Sequence, residues 1–233
     1  MSVLMINLAL ACGAFIAIHL LVSGTSLRDA ITARTGDGAY MGLFSLASVA
    51  ILAWMIWAYA LTRGVADNPV FWTVSFTTRN AQVVFTFLAF LLIVPGLLTA
   101  NPTSVRQEGA LDKDNAVQGM LRITRHPFLW GVAIWAAGHL MVNGDLASLI
   151  LFGSMLALAV FGTISIDAKR RRALGDKWDA FAGQTSNVPF GAIISGQQSL
   201  RLNEVGWRIL PAIVIWGVIA YFHANMFGVA ALP

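Results

Sequence analysis

The chain has 233 residues, of which 58% are apolar and only 11% charged, and its mean hydropathy is +0.73. A soluble domain carries about 25% charged residues, so these figures exclude an ordinary water-soluble enzyme and point to an integral membrane protein. The net charge of +4 does not mark a nucleic-acid binder, because the basic residues sit in loops beside apolar spans, as orientation by cytoplasmic positive charge requires.

A helix that crosses a bilayer needs about 20 mostly apolar residues, and six segments approach that length. They cover residues 3–22, 40–61, 81–98, 127–142, 146–166 and 205–227. No Lys or Arg precedes Arg28, so the first segment reads as a retained helix rather than a cleaved signal peptide. The fourth segment is short and must borrow from 120–126 or sit with a dipping end. Only Asn143-Gly144-Asp145 joins it to the fifth, so those two form a tight antiparallel hairpin. Thirteen of the fifteen Lys and Arg fall in the first, third and fifth connections or just inside the sixth helix; only Arg63 and Arg79 fall in the even ones. The expected orientation is therefore multi-pass in a bacterial inner membrane, with both termini periplasmic.

After Ile166 the sequence turns polar up to about Glu204, opening with Asp167 and the run Lys169-Arg170-Arg171-Arg172. Leu174, Trp178 and Phe181 fall on one face of a helix, which predicts an amphipathic helix on the membrane surface or on the bundle; 183–199 is turn-rich and irregular. The basic run anchors headgroups and sets topology. Gly153 and Ala157, four apart, would permit close helix contact. The fold class is all-α: a polytopic six-helix membrane bundle with a cytoplasmic amphipathic helix between helices five and six, forming one domain over 1–233.

The densest chemistry lies in 122–145. A cationic turn, Arg122, Thr124, Arg125 and His126, precedes Pro127. A proline in the first turn of a helix loses nothing, because its missing N–H would be unpaired there. An apolar helix follows, with His139 near its end. All four histidines, His19, His126, His139 and His223, lie in or at the edge of apolar spans, where ionisable groups are costly and tend to face a site. The alternative for any one of them is a neutral imidazole bonded to a neighbouring helix. Neutral imidazoles suit iron or zinc. The one cysteine, Cys12, excludes a disulfide framework, a CxxC pair and a cysteine zinc site. Without intramembrane carboxylates at obvious ligand positions, a bis-histidine haem is the better match. His126 and His139 are thirteen residues apart, roughly 20 Å of rise and about 140° of rotation, so they cannot share an iron. Depth alone pairs His19 with His126, or His139 with His223.

The run from His19 to Arg28-Asp29, then Tyr40 and Phe44, then Arg125-His126-Pro127 and Trp135-Ala-Ala-Gly-His139, resembles the NnrU family, which includes plant 15-cis-zeta-carotene isomerases. The resemblance implies a haem b membrane protein with His19 and His139 as axial ligands, a further essential histidine at His126, and Trp135, Arg28 and Arg122 as cofactor contacts. It also implies either an auxiliary role in denitrification beside a nitric oxide reductase complex or cis–trans isomerisation of a lipophilic polyene. The cysteine that the isomerases carry three residues before the second axial histidine is Ala136 here, so a ligand swap of that kind is not expected. A weaker likeness, through Arg125-His126-Pro127, Gly131, Asp167, Leu174-Gly175, Trp178, Phe181 and Val188-Pro189, is to the isoprenylcysteine carboxyl methyltransferase fold. It implies an S-adenosylmethionine site using Arg125, His126 and 169–172, although a run of bases replaces the second acid of that motif. The sequence thus leaves haem and S-adenosylmethionine as candidate cofactors, Arg125 and His126 as candidate catalytic residues, and membrane lipid as the surrounding partner.

Overall fold

The computed structural model describes residues 2–113 and 115–232. The chain is mostly helical, with almost no strand. Helix α1, Val3–Ile16, starts where the Ser2 hydroxyl accepts from the Met5 amide and continues as a π-helical segment, Ala17–Val22. Then come α2 (Ser26–Thr35), α3 (Asp37–Thr62), the short strand β1 (Val70–Trp72) and α4 (Phe76–Leu97). A capping box opens α4: the Ser75 hydroxyl accepts from the Thr78 amide, and the Thr78 hydroxyl accepts from the Ser75 amide. After a 3-10 turn at Glu108–Asp112 come α5 (Met120–Ile123), α6 (Pro127–Val142), β2 (Gly144–Asp145) and α7 (Leu146–Leu174). The remainder is α8 (Asp176–Gln184), α9 (Gly191–Ile194), α10 (Leu202–Val205) and α11 (Ile209–Phe227).

Five stretches are long and apolar enough to cross a membrane: Val3–Val22, Asp37–Thr62, Phe76–Leu97, Leu146–Leu174 and Leu202–Phe227. Helix α6, the fourth apolar segment and expected to be short, has 16 residues with Pro127 in its first turn. It runs antiparallel to α4 in close contact: a Cβ on Gly131 would lie 2.5 Å from Ile93 Cγ1, and one on Gly138 would lie 2.9 Å from Phe85 Cβ. Small residues let backbones approach where lipid offers no hydrophobic drive between helices. The contact expected at Gly153 is not made. A Cβ there meets nothing within 4 Å, and Gly162 of α7 faces Leu129 at ordinary van der Waals distance.

The connections sort to two ends. At one, Arg172 donates to the Gly24 carbonyl, Arg170 pairs with Glu108 and Lys177 pairs with Asp112; this is the cationic end. At the other, β1 pairs antiparallel with β2, Asn68 donates to Asp145, and Arg63 donates to the Phe227 carbonyl. The α6–α7 hairpin turns there, and the Asp145 carboxylate caps α7 through the Ser148 amide.

The amphipathic helix exists as α8, but its start differs from expectation. Residues 167–174 continue α7 by two turns, since nothing in that run breaks a helix until Gly175, at φ +53°. The basic run therefore rides the last turns of the span. Leu174, Trp178 and Phe181 pack on Leu121 of α5, with Trp178 fully buried, so α8 seals the cationic end of the bundle.

Candidate functional site

The sharp turn between α5 and α6 builds the first cluster. Thr124 leaves the helix in an extended conformation, and the turn is pinned from outside. The Arg125 amide donates to the Ser186 carbonyl at 2.9 Å and the Thr124 hydroxyl to the Asn187 carbonyl at 2.6 Å. The Arg125 carbonyl accepts from the Asn101 amide group and the Thr103 hydroxyl, both at 3.1 Å. This aims Arg125 and His126 at one residue of α7, Asp167.

Asp167 takes donors from three directions. Arg125 Nε and Nη2 reach Oδ2 at 3.0 Å, His126 Nε2 reaches Oδ1 at 2.6 Å, and Asn187 Nδ2 reaches Oδ2 at 3.2 Å. Arg125 Nη1 meanwhile donates to the Thr185 and Ala182 carbonyls, and Trp130 Nε1 holds the Asn187 carbonyl at 2.7 Å. Every nitrogen of Arg125 is thus occupied within the protein. Because the carboxylate accepts from Nε2–H, His126 Nδ1 carries the lone pair. That nitrogen is buried without a partner in a side chain that is 0% exposed. Burial pushes the His126 pKa below the ordinary imidazole value, outweighing the raising pull of Asp167 and aided by the adjacent Arg125. A buried neutral imidazole results, oriented by an acid, with a bare lone pair able to take a proton, a hydrogen bond or a metal.

The intramembrane histidines are set differently. His19 lies in the π-helical segment, a feature that often marks a functional position, and its Nδ1–H donates to the Phe15 carbonyl at 2.8 Å. His139 donates in the same way to the Trp135 carbonyl at 2.9 Å. A backbone carbonyl on Nδ1 fixes the tautomer that leaves Nε2 free as a ligand. Both rings have aromatic neighbours: Phe15 at 4.3 Å and Phe44 at 5.2 Å for His19, and Trp135 at 4.6 Å and Phe152 at 4.8 Å for His139.

Their depths differ. Helix α1 runs parallel to α7, with Cys12 against Ser154 and Gly24 against Ser165, so His19 is level with about residue 160, while His139 stacks on Phe152. Eight residues of helix make roughly 12 Å. The His223 Nδ1–H donates to the Val229 carbonyl. Among the described residues, no three His, Cys, Asp or Glu gather as a metal site.

The remaining candidates are distributed. Trp135 stands beside His139. Arg122 is clamped by Glu204, through Nε at 2.8 Å and Nη2 at 3.0 Å, and by Gln198, tying α5 to α10; it also lines a cleft of about 370 Å³ at the cationic end. Arg28 lies over the Tyr40 ring. The sequence reading missed Asn187 and underweighted Asp167. The one available signal for the latter was a carboxylate at the end of an apolar span.

The chain is 26% identical over 180 residues to the chloroplastic 15-cis-zeta-carotene isomerases of Zea mays and Arabidopsis thaliana, alignments that cover 75% of this chain and 47% of each relative. It therefore spans about half the length of these curated relatives. No solved structure gives a significant match. The family described as NnrU protein matches residues 7–231, and on that near-complete match the chain belongs to the NnrU family.

Proposed function

We propose that this protein is a membrane-embedded isomerase of a lipophilic polyene of the carotenoid class, converting a cis double bond to trans. The observation that carries the reading is the likeness to two plant isomerases over 75% of the chain, which extends across several spans rather than one motif. The chemistry of the fold agrees. A polyene dissolves only in the bilayer, so its enzyme must present its reactive groups there, walled by apolar and aromatic surfaces. His19 and His139 offer free Nε2 atoms in such surroundings.

The donor set fits a haem iron, since a neutral imidazole with Nδ1–H fixed by a carbonyl is a good iron ligand, and His19 and His139 are both fixed in that way. When bound, a haem would supply Lewis-acid or one-electron chemistry that lowers the order of the double bond. The chain's own part is to hold the polyene between spans, exclude water and keep His126 neutral beside Asp167. The cationic end is the cytoplasmic side, the membrane is the bacterial inner membrane, and the termini face the periplasm, on the distribution of basic residues.

The test is expression in a bacterial host that accumulates 15-cis-zeta-carotene in the dark, with isomers separated by chromatography. The 15-cis fraction should fall. An unchanged ratio with the protein present in the membrane would remove the reading. A second reading, carried only by the resemblance to the NnrU family, is an auxiliary role in nitric oxide reduction; unimpaired nitric oxide consumption in a deletion strain would eliminate it.

A further inference from the structure

Above His19, at the cationic end, lie Arg28, Lys169 and the buried hydroxyl of Tyr40. Tyr40 is 5% exposed and its hydroxyl is buried without a hydrogen-bond partner, which costs free energy unless a ligand or water satisfies it. The Arg28 guanidinium lies 5.5 Å from the centre of the Tyr40 ring. Its protein partners, Asp29 at 3.4 Å and Asp37 at 3.2 Å, are exposed carboxylates of the kind that hold a cation weakly. Lys169 of α7 is half-buried on the helix face of Ser165 and Arg172, both of which meet Gly24 just before α2; among the described residues its ammonium has neither a hydrogen bond nor an ion pair. Below these groups Tyr40 stacks on Phe44 at 5.8 Å, and Phe44 meets the His19 ring edge-on at 5.2 Å. From the membrane surface inward the order is cations, a buried hydroxyl donor, an aromatic wall and an imidazole with Nε2 free.

We propose that Arg28, Tyr40 and Lys169 form a binding site for the anionic head of an amphiphile, a carboxylate or a phosphate, whose apolar body lies along Phe44 toward His19. Lysine and arginine at a membrane rim suit such a head. The tyrosine hydroxyl adds the directional donor that a merely solvated charge patch lacks. Two sources share this chemistry: the propionates of a porphyrin and the phosphate of a lipid. The porphyrin source rests on the haem reading above, whereas the anion site does not.

The experiment uses the purified full chain in neutral detergent, with Tyr40→Phe and Lys169→Gln. Tyr40→Phe removes only an atom without a protein partner, so folding should be unaffected. Probes are hemin, hemin dimethyl ester, and phosphatidylglycerol against phosphatidylcholine, read by absorption and by lipid retention in native mass spectrometry. Each variant should weaken binding of at least one anionic probe about tenfold or more, as loss of a charge-assisted hydrogen bond does, and leave its neutral counterpart unchanged. Weakening confined to hemin assigns a porphyrin carboxylate, and weakening confined to phosphatidylglycerol assigns a lipid phosphate. Unaltered affinity of both variants for both anionic probes overturns the site. Should the wild type bind no hemin, the haem reading fails by itself and the lipid arm decides the anion site.

Discussion

The Asp167 centre and the intramembrane histidines are built on opposite plans. Around Asp167 nearly every polar atom is satisfied: Arg125 is fully occupied, Asn187 and Trp130 brace the carboxylate, and only His126 Nδ1 is left over. At His19 and His139 the protein satisfies one nitrogen of each ring and leaves the other free. The first arrangement is rigid and positions one lone pair, whereas the second presents donors that lack a partner until something enters the bundle. The contrast also bears on S-adenosylmethionine. In this arrangement the Arg125 guanidinium is committed to Asp167 and two carbonyls, so gripping a ligand carboxylate would require it to give up one of those partners.

That contrast yields predictions of decreasing size. Asp167→Ala should be the most damaging, by about 3–5 kcal/mol, because it strands a buried arginine and a buried histidine; Asp167→Asn, which keeps one acceptor, should cost less. Thermal unfolding in detergent checks both, and a shift of Asp167→Ala no larger than that of a surface variant would break the proposed rigidity. Arg122→Ala removes the tie to Glu204 and Gln198 and should cost about 1.5–3 kcal/mol, with faster proteolysis in 196–205.

The pH profile sharpens the picture of His126. Its folded-state pKa lies below the ordinary value of 6.5, so the unfolded chain takes up a proton first as pH falls. Stability should be flat above about pH 6.5 and decline below it until the folded-state pKa is reached. His126→Gln should flatten that decline. His139→Ala should lose the haem and His223→Ala should keep it; stoichiometric haem in His139→Ala would shift the assignment to His19. Breaking the exposed Lys177–Asp112 pair should change nothing measurable.

The spans, the tight α6–α7 turn and the buried face of α8 were legible because hydropathy and helical spacing act locally. Pro127 marked the start of α6 for the same reason. The π-helical segment at His19 was not legible, since apolar periodicity does not distinguish a π turn from an α turn in a continuous apolar run. Helix α2 is too short and too polar to register as a span, and the β1–β2 pairing joins residues more than seventy apart. A small-residue pair at Gly153 and Ala157 reads the same whether it meets a helix or lipid, and only packing shows that Gly131 and Gly138 carry the close contact. His126 and Arg125 could be singled out from the sequence. Their shared dependence on Asp167 could not, because forty residues and an entire hairpin separate them from it.

The most direct test of the central claim is conversion of 15-cis-zeta-carotene in the dark by purified protein in liposomes, supplied with hemin and compared with protein-free liposomes carrying the same hemin. The account predicts faster loss of the cis isomer with the wild-type chain; equal rates in both would contradict it.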